Sequence, residues 1–404
     1  METDANDYEG RQERGSDELG QFLSLIAAGR AATRADLSRL TGLARSTVSQ
    51  RVELLLRSGL LTDGGDGPST GGRRPSLLSL NADFGVVLGA DIGATHCRMA
   101  VADLAGQIID QYGALLSVAD GPDVVLGQVL AGFQQLLGQV GKHAADVRAI
   151  GIGVPGPVEF ATGTVVQPPI MPGWDGLCIP EWFREHFPGD VLVDNDVNMM
   201  ALGEYWGRGI TDGQLLFVKV STGIGCGIVS QGRVHRGADG AAGDIGHIHV
   251  ADQDDTLCAC GNTGCLEAVA SGSAVARQLQ REGLDVRVAR DVVRLAQGGD
   301  ARAVRGVRVA GQRIGAVLAS LVNFYNPSTI IVGGAMADLR DDLVAGIRGV
   351  VYHRALPLAT RRLAIETTAL GMRAGVCGAV VLAAEYARSP AAMSKFVTRH
   401  NGKH

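Results

Sequence analysis

Three cysteines and one histidine form the most chemically specific pattern in this sequence. Cys258, Cys260 and Cys265 fall within eight residues, and His247 precedes Cys258 by eleven. Three thiolates and one imidazole fill the four positions of a tetrahedral Zn²⁺ site and leave none open, so we expect structural zinc. The alternatives are three free thiols, or a redox pair formed by Cys258 and Cys260. The isolated cysteines are expected to be packing residues: Cys97, Cys178, Cys226 and Cys377.

A cluster of carboxylates and amides, residues 194–198, follows a short apolar strand predicted over residues 191–193. One of its carboxylates could accept the proton of a sugar hydroxyl that attacks phosphorus, and a neighbouring amide could hydrogen-bond sugar hydroxyls. The alternative is a capping turn for a helix that begins near Val197, and the cluster taken by itself favours this alternative.

Two Gly-rich turns, at residues 91–95 and 221–227, each follow an apolar strand. Glycine lets backbone N–H groups approach phosphate oxygens, and hydroxyl groups add donors, so the repeated pair predicts a phosphate-binding cleft. A third glycine pair ends in Gly334 and could approach an adenine ring, with a tight strand-to-helix turn as the alternative. The polar and glycine positions of the two turns are Asp91, Gly93, Thr95, Thr222, Gly223 and Gly225.

A locally basic segment precedes these turns. Residues 30–75 contain eight arginines against four acidic residues, although the whole chain has a net charge of −5. Apolar spacing predicts three helices and then two strands with a Gly- and Pro-rich tip, a pattern typical of a DNA-binding winged helix-turn-helix. The alternative is a small helical packing domain with a solvated basic face. The residues expected to reach bases and phosphates are Arg45, Ser46, Thr47, Ser49, Gln50 and Arg51 on the third helix, and Arg73 and Arg74 on the wing.

The elements that must position these residues belong to a chain with the composition of a soluble globular protein. It has 404 residues, of which 46% are hydrophobic and 20% charged, which predicts two or three domains. Residues 1–16 are expected to be a disordered tail, and residues 17–80 the winged helix-turn-helix. No apolar run reaches the ~18 residues of a membrane span, and the acidic N-terminus is unlike a signal peptide. We therefore expect a cytoplasmic protein without membrane contacts.

Strands and helices alternate in the remaining sequence, which predicts an α/β fold. Residues 86–95 and 215–225 are similar, because each is an apolar strand that ends in a polar Gly-rich turn. Each is also followed by a strand, a turn and a further strand. This diverged internal repeat predicts two related lobes that face one cleft.

Taken together, the motifs resemble those of the ROK family (repressors, open reading frames and kinases), in particular its repressor-type members. The matching segments are 91–95, 151–158, 195–198, 221–227, 243–247 and 258–267, and the last resembles the family signature. The resemblance covers about residues 17–388. It implies an actin-like, hexokinase-type fold of the ribonuclease H-like class, with two lobes. The small lobe would comprise residues 84–195 and a C-terminal helix at about 373–388, the large lobe residues 196–372 with the zinc site, and a tail residues 389–404.

The resemblance also implies roles for individual residues. Asp196 lies where the kinases of the family keep their catalytic base. Sugar contacts are implied for Asn195, Asp196, Asp244, His247 and Glu267, and zinc ligation for His247, Cys258, Cys260 and Cys265. ATP and Mg²⁺ would be cofactors only if kinase activity is retained, with contacts from Asp91, Gly93, Thr95, Thr222, Gly223, Gly225 and Gly334. Family repressors bind operator DNA as dimers or tetramers, and a sugar, a sugar phosphate or a partner protein changes that binding.

Three positions depart from the kinase pattern. Asp244 stands where the kinases usually carry glutamate, which draws the carboxylate back by about 1.5 Å. Ala94 adds a Cβ at the first phosphate turn, and Ser221 replaces a glycine before the second. These changes weaken ATP use, so we expect a sugar-responsive repressor of carbohydrate-metabolism genes. The alternatives are an ATP-dependent hexose or N-acylhexosamine kinase, a protein with both activities, and a zinc redox switch.

Overall fold

The structure is a computed structural model, and it describes residues 18–27, 29–66, 76–81, 84–253, 255–389 and 392. The tail predicted for residues 1–16, most of the tail predicted for 389–404, and the wing arginines Arg73 and Arg74 lie outside these residues. Three helices and one antiparallel pair of strands make up the N-terminal head, which we define as residues 18–81. Their bounds are 18–27 for α1, Arg34–Thr41 for α2, Arg45–Arg57 for α3, Leu61–Asp66 for β1 and Ser76–Leu80 for β2.

Local sequence explains the helix boundaries of the head. Thr33 caps α2 by accepting a hydrogen bond from the backbone N–H of Asp36, whose carboxylate in turn accepts from the Thr33 hydroxyl at 2.8 Å. Gly42 ends α2 in the left-handed conformation, with φ of +73°. In α3, Val48, Val52 and Leu55 recur at helical spacing, are buried, and pack into the core of the head.

Two five-stranded sheets with the same strand order form the rest of the molecule. The orders are β5-β4-β3-β6-β9 and β12-β11-β10-β13-β14, and in each sheet the first three strands in sequence are antiparallel while the last two run parallel to the first. The internal repeat predicted from the sequence is therefore present as a repeated sheet. The strands of the first sheet are β3 Val86–Ile92, β4 His96–Ala102, β5 Ile108–Leu115, β6 Val147–Val154 and β9 Asp190–Asn195. Those of the second are β10 Gln214–Val220, β11 Ile224–Ser230, β12 Arg233–Val234, β13 Thr329–Gly333 and β14 Ala364–Thr367, and the short strands β7 Val158–Glu159 and β8 Thr164–Val165 pair separately.

Helices cover both faces of each sheet. Helices α4 and α5 pack on one face of the first sheet, and α13 packs on the other. Helices α7 to α11 cover the outer face of the second sheet, and α6 covers its inner face. Of the described helices, none is long and apolar enough to cross a membrane. The bounds are α4 Pro122–Gln139, α5 Ile179–Phe183, α6 Asp196–Gly207, α7 Leu266–Ala270, α8 Gly272–Arg281, α9 Ala289–Gln297, α10 Ala301–Tyr325, α11 Ala345–Arg354, α12 Pro357–Thr360 and α13 Ala374–Ala387.

The two sheets meet through α6 and α13, which cross at glycine contacts. A Cβ on Gly203 of α6 would overlap the backbone oxygen of Ala374, and one on Gly378 of α13 would overlap that of Met199. Because only glycine allows backbones to approach this closely, α6 and α13 pack backbone to backbone between the two sheets.

Candidate functional site

The floor of the cleft holds a carboxylate with no partner. Asp91 lies in β3, is 1% exposed, and neither of its carboxylate oxygens has a hydrogen-bond partner. Burial, and then the negative charge of Asp196, raise the pKa of Asp91 to about 7. Helix α13 begins against this carboxylate, since a Cβ on Gly375 would overlap it. Asp91 is therefore a buried acid that a cation or a hydrogen-bond donor would stabilise.

The neighbouring carboxylate, Asp196, forms an ion pair. It is the first residue of α6, is 2% exposed, and its Oδ2 accepts a hydrogen bond from Nζ of Lys219 at 2.5 Å. Burial opposes the charge on Lys219, but the charge of Asp196 and this hydrogen bond outweigh it and raise the Lys219 pKa. The sequence reasoning missed Lys219, although it is the only charged residue of the apolar strand β10.

The second Gly-rich turn is braced by Glu267, the second residue of α7. Its Oε2 accepts a hydrogen bond from the backbone N–H of Ile224 at 2.9 Å, and a Cβ on Gly223 would overlap the same carboxylate. Gly225 packs against Val197, where a Cβ would come within 2.9 Å of its side chain. Gly334 has φ of +86° and lies against the backbone oxygen of Val220. Close packing thus favours glycine at Gly223 and Gly225, and the positive φ and the backbone contact require it at Gly334.

In the first Gly-rich turn, the imidazole of His96 packs against Gly93. A Cβ on Gly93 would overlap the imidazole of His96, and Thr95 is exposed at the tip. Burial, followed by the charges of Lys219 and Arg98, lowers the pKa of His96, so its imidazole is neutral at pH 7. The turn therefore presents backbone groups, a hydroxyl and a neutral ring rather than a cation.

Asn195 acts as the cap of α6. Its Oδ1 accepts from the backbone N–H of Val197 at 2.9 Å, and its Nδ2 donates to the backbone oxygen of Gly156 at 3.1 Å. This arrangement is the capping turn that the sequence offered as an alternative to sugar contact. Asp194 beside it accepts from Nε of Arg236 at 2.7 Å, so these polar groups also order the loop at the strand end.

The predicted zinc ligands converge within a small volume. The ligand atoms of His247, Cys258, Cys260 and Cys265 all lie within 4.8 Å of one another. His247 Nδ1 lies 3.7 Å from Cys258 Sγ, and Cys260 Sγ lies 3.7 Å from Cys265 Sγ. A tetrahedral zinc ion with ~2.3 Å bonds to sulfur and ~2.0 Å bonds to nitrogen requires separations of roughly 3.6–3.8 Å. The two 3.7 Å separations match this range, so the cluster of four side chains is compatible with Zn²⁺.

Backbone turns create this cluster. Gly261 and Gly264 have φ of +92° and +70°, and the backbone N–H of Cys258 donates to the oxygen of Asn262 at 2.8 Å. A backbone hydrogen bond at Asn262 is the main cause that lowers the pKa of Cys260 to about 7, so this thiolate forms at neutral pH. Thiolate formation favours metal binding at this site.

Asp244 and His247 form one rim of the cleft beside the metal cluster. The nearest carboxylate oxygen of Asp244 is 3.9 Å from His247 Nε2, and the two side chains are 59% and 35% exposed. With Nδ1 of His247 facing the cysteines, Nε2 remains on the open side. Gly246 packs against Glu267, where a Cβ would come within 3.6 Å, so this rim continues to Glu267.

Helix α3 carries the residues predicted to contact DNA. Arg45, Ser46, Ser49 and Gln50 are exposed, and Thr47 is half-buried. Arg51 differs, because its Nε donates to Glu18 of α1 at 2.9 Å. The first half of α3 thus offers one exposed arginine, two serines and a glutamine, and it lies far from the cleft residues in the chain.

Comparison with known proteins identifies relatives of two kinds. The sequence model described as the ROK family matches residues 87–386. The xylose repressor of Caldicellulosiruptor bescii is 29% identical over 89% of this chain and 93% of its own. The glucokinase of Halalkalibacterium halodurans is 33% identical, but over 72% of this chain and 92% of its own. Among solved structures, a ROK family transcriptional regulator, a homolog of the E. coli MLC protein, covers 96% of this chain and 100% of its own with a TM-score of 0.81 at 24% identity.

Proposed function

The chain belongs to the ROK family, and we propose that it is a transcriptional repressor whose operator affinity changes when a sugar or sugar phosphate binds in the cleft. The observation that carries this proposal is the share of this chain that each kind of relative matches. The ROK segment, residues 87–386, makes up 300 of the 404 residues, or 74%, and the glucokinase matches 72%. The xylose repressor matches 89%, so its similarity extends beyond the segment that a kinase needs.

The head is proposed to be a winged helix-turn-helix with α3 in the major groove. The three-residue connection from α2 to α3, the buried apolar face of α3 and its exposed polar face support this assignment. Arg45 would contact a base edge or phosphate, Gln50 would hydrogen-bond a base edge, and the short side chains of Ser46 and Ser49 would allow close approach. Arg51 would order α1 against α3 through Glu18, and its contact with DNA would be secondary.

The head packs against the first sheet, and this packing would couple a change in the cleft to the orientation of the head. Leu80 and Phe84 pack both on the core of the head and on the cluster beneath α13. The guanidinium of Arg148 lies 4.8 Å from the Phe84 ring centroid and its Nε donates to the Phe84 backbone oxygen at 3.1 Å. Since α13 begins at Asp91 and ends beside this anchor, lobe closure on a ligand would reorient the head.

Zinc is proposed to hold the sugar-facing rim in place. Ligation of His247 Nδ1 would fix the imidazole and aim Nε2 at the cleft, next to Asp244. Sugar contacts are proposed for these two residues, for Glu267, and for Asp196 through its carboxylate. Asn195 would contribute only through its side-chain nitrogen, Nδ2, because its oxygen, Oδ1, caps α6.

A homodimer is the proposed DNA-binding unit. Two heads related by a twofold axis would meet two half-sites separated by a whole number of helical turns, and a ligand-driven rotation of each head would change that spacing. Sedimentation with operator DNA measures the stoichiometry, for which we expect two chains per palindromic site.

Sugar phosphorylation is the second candidate function. Asp91, Thr95 and Asp196, the residues that a phosphoryl-transfer site of this family would use, are all present, and Asp196 follows directly after strand β9. ADP release with MgATP and a sugar panel, against an Asp196→Asn control, tests it. Sugar-dependent release above that control would establish a kinase.

Fluorescence anisotropy with promoter fragments tests the repressor function. We expect nanomolar specific binding at physiological salt, reversed or strengthened by one of D-xylose, D-glucose, N-acetyl-D-glucosamine or their phosphates. Arg45→Ala should weaken specific binding at least tenfold, whereas Arg57→Ala, on an exposed ion pair at the far end of α3, should not. Absence of specific binding, with and without these ligands, would refute the proposal.

A further inference from the structure

The pairing registers of the two sheets place Asp91 and Lys219 at equivalent positions. Asp91 of β3 pairs with Gly153 of the parallel strand β6, and Lys219 of β10 pairs with Gly333 of the parallel strand β13. Each is followed by one apolar residue, and then by Gly93 in the first sheet and Ser221 in the second. The internal repeat thus places a carboxylate at this position in one sheet and an ammonium in the other.

One ammonium acts on two buried carboxylates. Lys219 donates its one hydrogen bond within the described residues to Asp196, and the side chains of the two are 21% and 3% exposed. Asp91 has no hydrogen bond, and among the positive charges that lower its pKa that of Lys219 is the largest, ahead of Arg98. Lys219 is therefore hydrogen-bonded to Asp196, and among the positive charges it has the largest influence on the pKa of Asp91.

These residues do not fit a Mg²⁺·ATP site. Phosphoryl transfer depends on a divalent cation that is held by carboxylates and bridges the phosphate oxygens. The Lys219 ammonium, held by its hydrogen bond to Asp196, already neutralises one of the two negative charges and repels a second cation at short range. Burial also favours the neutral form of Asp91, which further reduces the negative charge available to a metal.

We propose that Lys219 is a built-in counter-ion that takes the role of a divalent cation for Asp91 and Asp196, so that the cleft binds a sugar without metal and without transferring phosphate. The inference rests on the proposed function, because it assigns a role within the same cleft. Lys219 is a positioning residue: its hydrogen bond holds the Asp196 carboxylate in place as an acceptor for a sugar hydroxyl. The second oxygen of Asp196, Oδ1, has no protein partner in the described part of the chain and is available for that hydrogen bond.

The neighbouring groups on each packed element are consistent with this role. His96 on β4 is held neutral, Arg98 on β4 is a further cation, and Glu267 on α7 is occupied by the second Gly-rich turn. None of these replaces the hydrogen bond from Lys219 to Asp196. Removing the Lys219 charge should therefore leave Asp91 and Asp196 without a nearby ammonium, so that a cation from solution can bind between them.

Thermal shift with Mg²⁺ or Mn²⁺ as the probe tests the proposal on the zinc-loaded full chain. We expect no effect of millimolar Mg²⁺ on the wild type. Lys219→Met should melt several degrees lower, and millimolar Mg²⁺ should restore at least half of that loss. Adding Asp91→Asn to this variant should abolish the restoration. Lys142→Met, at the other lysine of the described residues, is the matched control and should respond as the wild type does.

Stabilisation of the wild type by Mg²⁺ that disappears in Asp91→Asn would overturn the proposal, as would a Lys219→Met protein that Mg²⁺ leaves unchanged. If Lys219→Met does not fold, calorimetric titration of the wild type and of Asp91→Asn with Mn²⁺ replaces this experiment. Mn²⁺ binding to the wild type that is lost in Asp91→Asn would contradict the role proposed for Lys219.

A sugar titration separates this inference from the proposed function. We expect D-xylose, D-glucose or N-acetyl-D-glucosamine to stabilise the wild type equally with and without Mg²⁺, with no sugar-dependent ADP release from MgATP. A sugar response that requires Mg²⁺, or ADP release above an Asp196→Asn control, would overturn the inference and leave DNA repression intact. A wild type that ignores every sugar would count against sugar sensing, while the Mg²⁺ experiments would still decide the role of Lys219.

Discussion

The predicted zinc cluster, which consists of His247 and the three nearby cysteines, and the charged centre of the cleft are built in different ways. Both hold several charged side chains close together, but the cluster is built by nineteen consecutive positions, 247–265, and includes an exposed thiolate. The charged centre joins Asp91, Asp196 and Lys219 from three separate elements, and both acids are buried. The cluster fits an ion from solution, whereas the centre carries its cation on the chain. This difference predicts that the stability of the cluster depends on metal supply, whereas the charged centre forms only when the whole domain has folded.

Removing the metal ligands should have the largest effect. Cys265→Ser deletes a predicted zinc ligand that is 1% exposed, and zinc sites contribute ~10 kcal/mol or more in small domains. We expect the melting temperature to fall by at least ~10 °C with loss of bound zinc, measured by calorimetry and metal analysis. Cys178→Ser, at a cysteine outside the cluster, is the control and should retain zinc. A zinc-free Cys265→Ser protein of wild-type stability would show that the stability of the chain does not depend on metal at this cluster.

Breaking the ion pair of the cleft should have the next largest effect. Asp196→Asn leaves the Lys219 ammonium without its hydrogen-bonded anion, which costs about 3 kcal/mol at a mostly buried pair. Urea unfolding measures this loss. Glu53→Gln breaks the exposed pair with Arg57 and should cost less than about 0.5 kcal/mol. Equal losses in the two variants would show that the cleft pair is no stronger than a surface one.

The pH dependence of stability should identify the buried acid. The pKa of Asp91 is raised from its ordinary value of 3.8 to about 7, so the proton it binds stabilises the folded chain fully below pH ~4, and this contribution is lost as the pH rises through 7. Relative to Asp91→Asn, the wild type should lose about 2–3 kcal/mol between pH 5 and pH 8 at 1.36 kcal/mol per pKa unit. Urea unfolding of both proteins across this range measures the difference. A constant difference would show that Asp91 titrates normally.

The smallest effect tests the local geometry of the metal cluster. Gly264→Ala combines a φ of +70° with a Cβ that would come within 2.7 Å of the His249 ring, and we expect a loss of about 1–3 kcal/mol. Gly261→Ala has φ of +92° but open space around its Cβ, so its loss should be smaller. Calorimetry of both zinc-loaded variants ranks them, and the reverse order would contradict this account.

The two regions also differ in what the sequence could reveal. The ligand spacing of the cluster is local, so the four ligands were predicted from their residue types alone, and the structure brings them together. The repeated strand and turn predicted the two related sheets for the same reason. Lys219 was missed because its partners come from β3 and α6, and only the strand register shows that it is the counterpart of Asp91. The dual bonding of Asn195 likewise follows from the position of Gly156 in another loop.

The position of α13 also has a consequence for synthesis of the chain. One face of the first sheet is covered by a helix that ends at Ala387, although the strands of that sheet are complete at Asn195. A nascent chain that has left the ribosome as far as Thr367 therefore exposes this face together with the anchor of the head. Because domains fold from the N-terminus during translation, the head forms early but gains its attachment to the cleft only when the last helix docks.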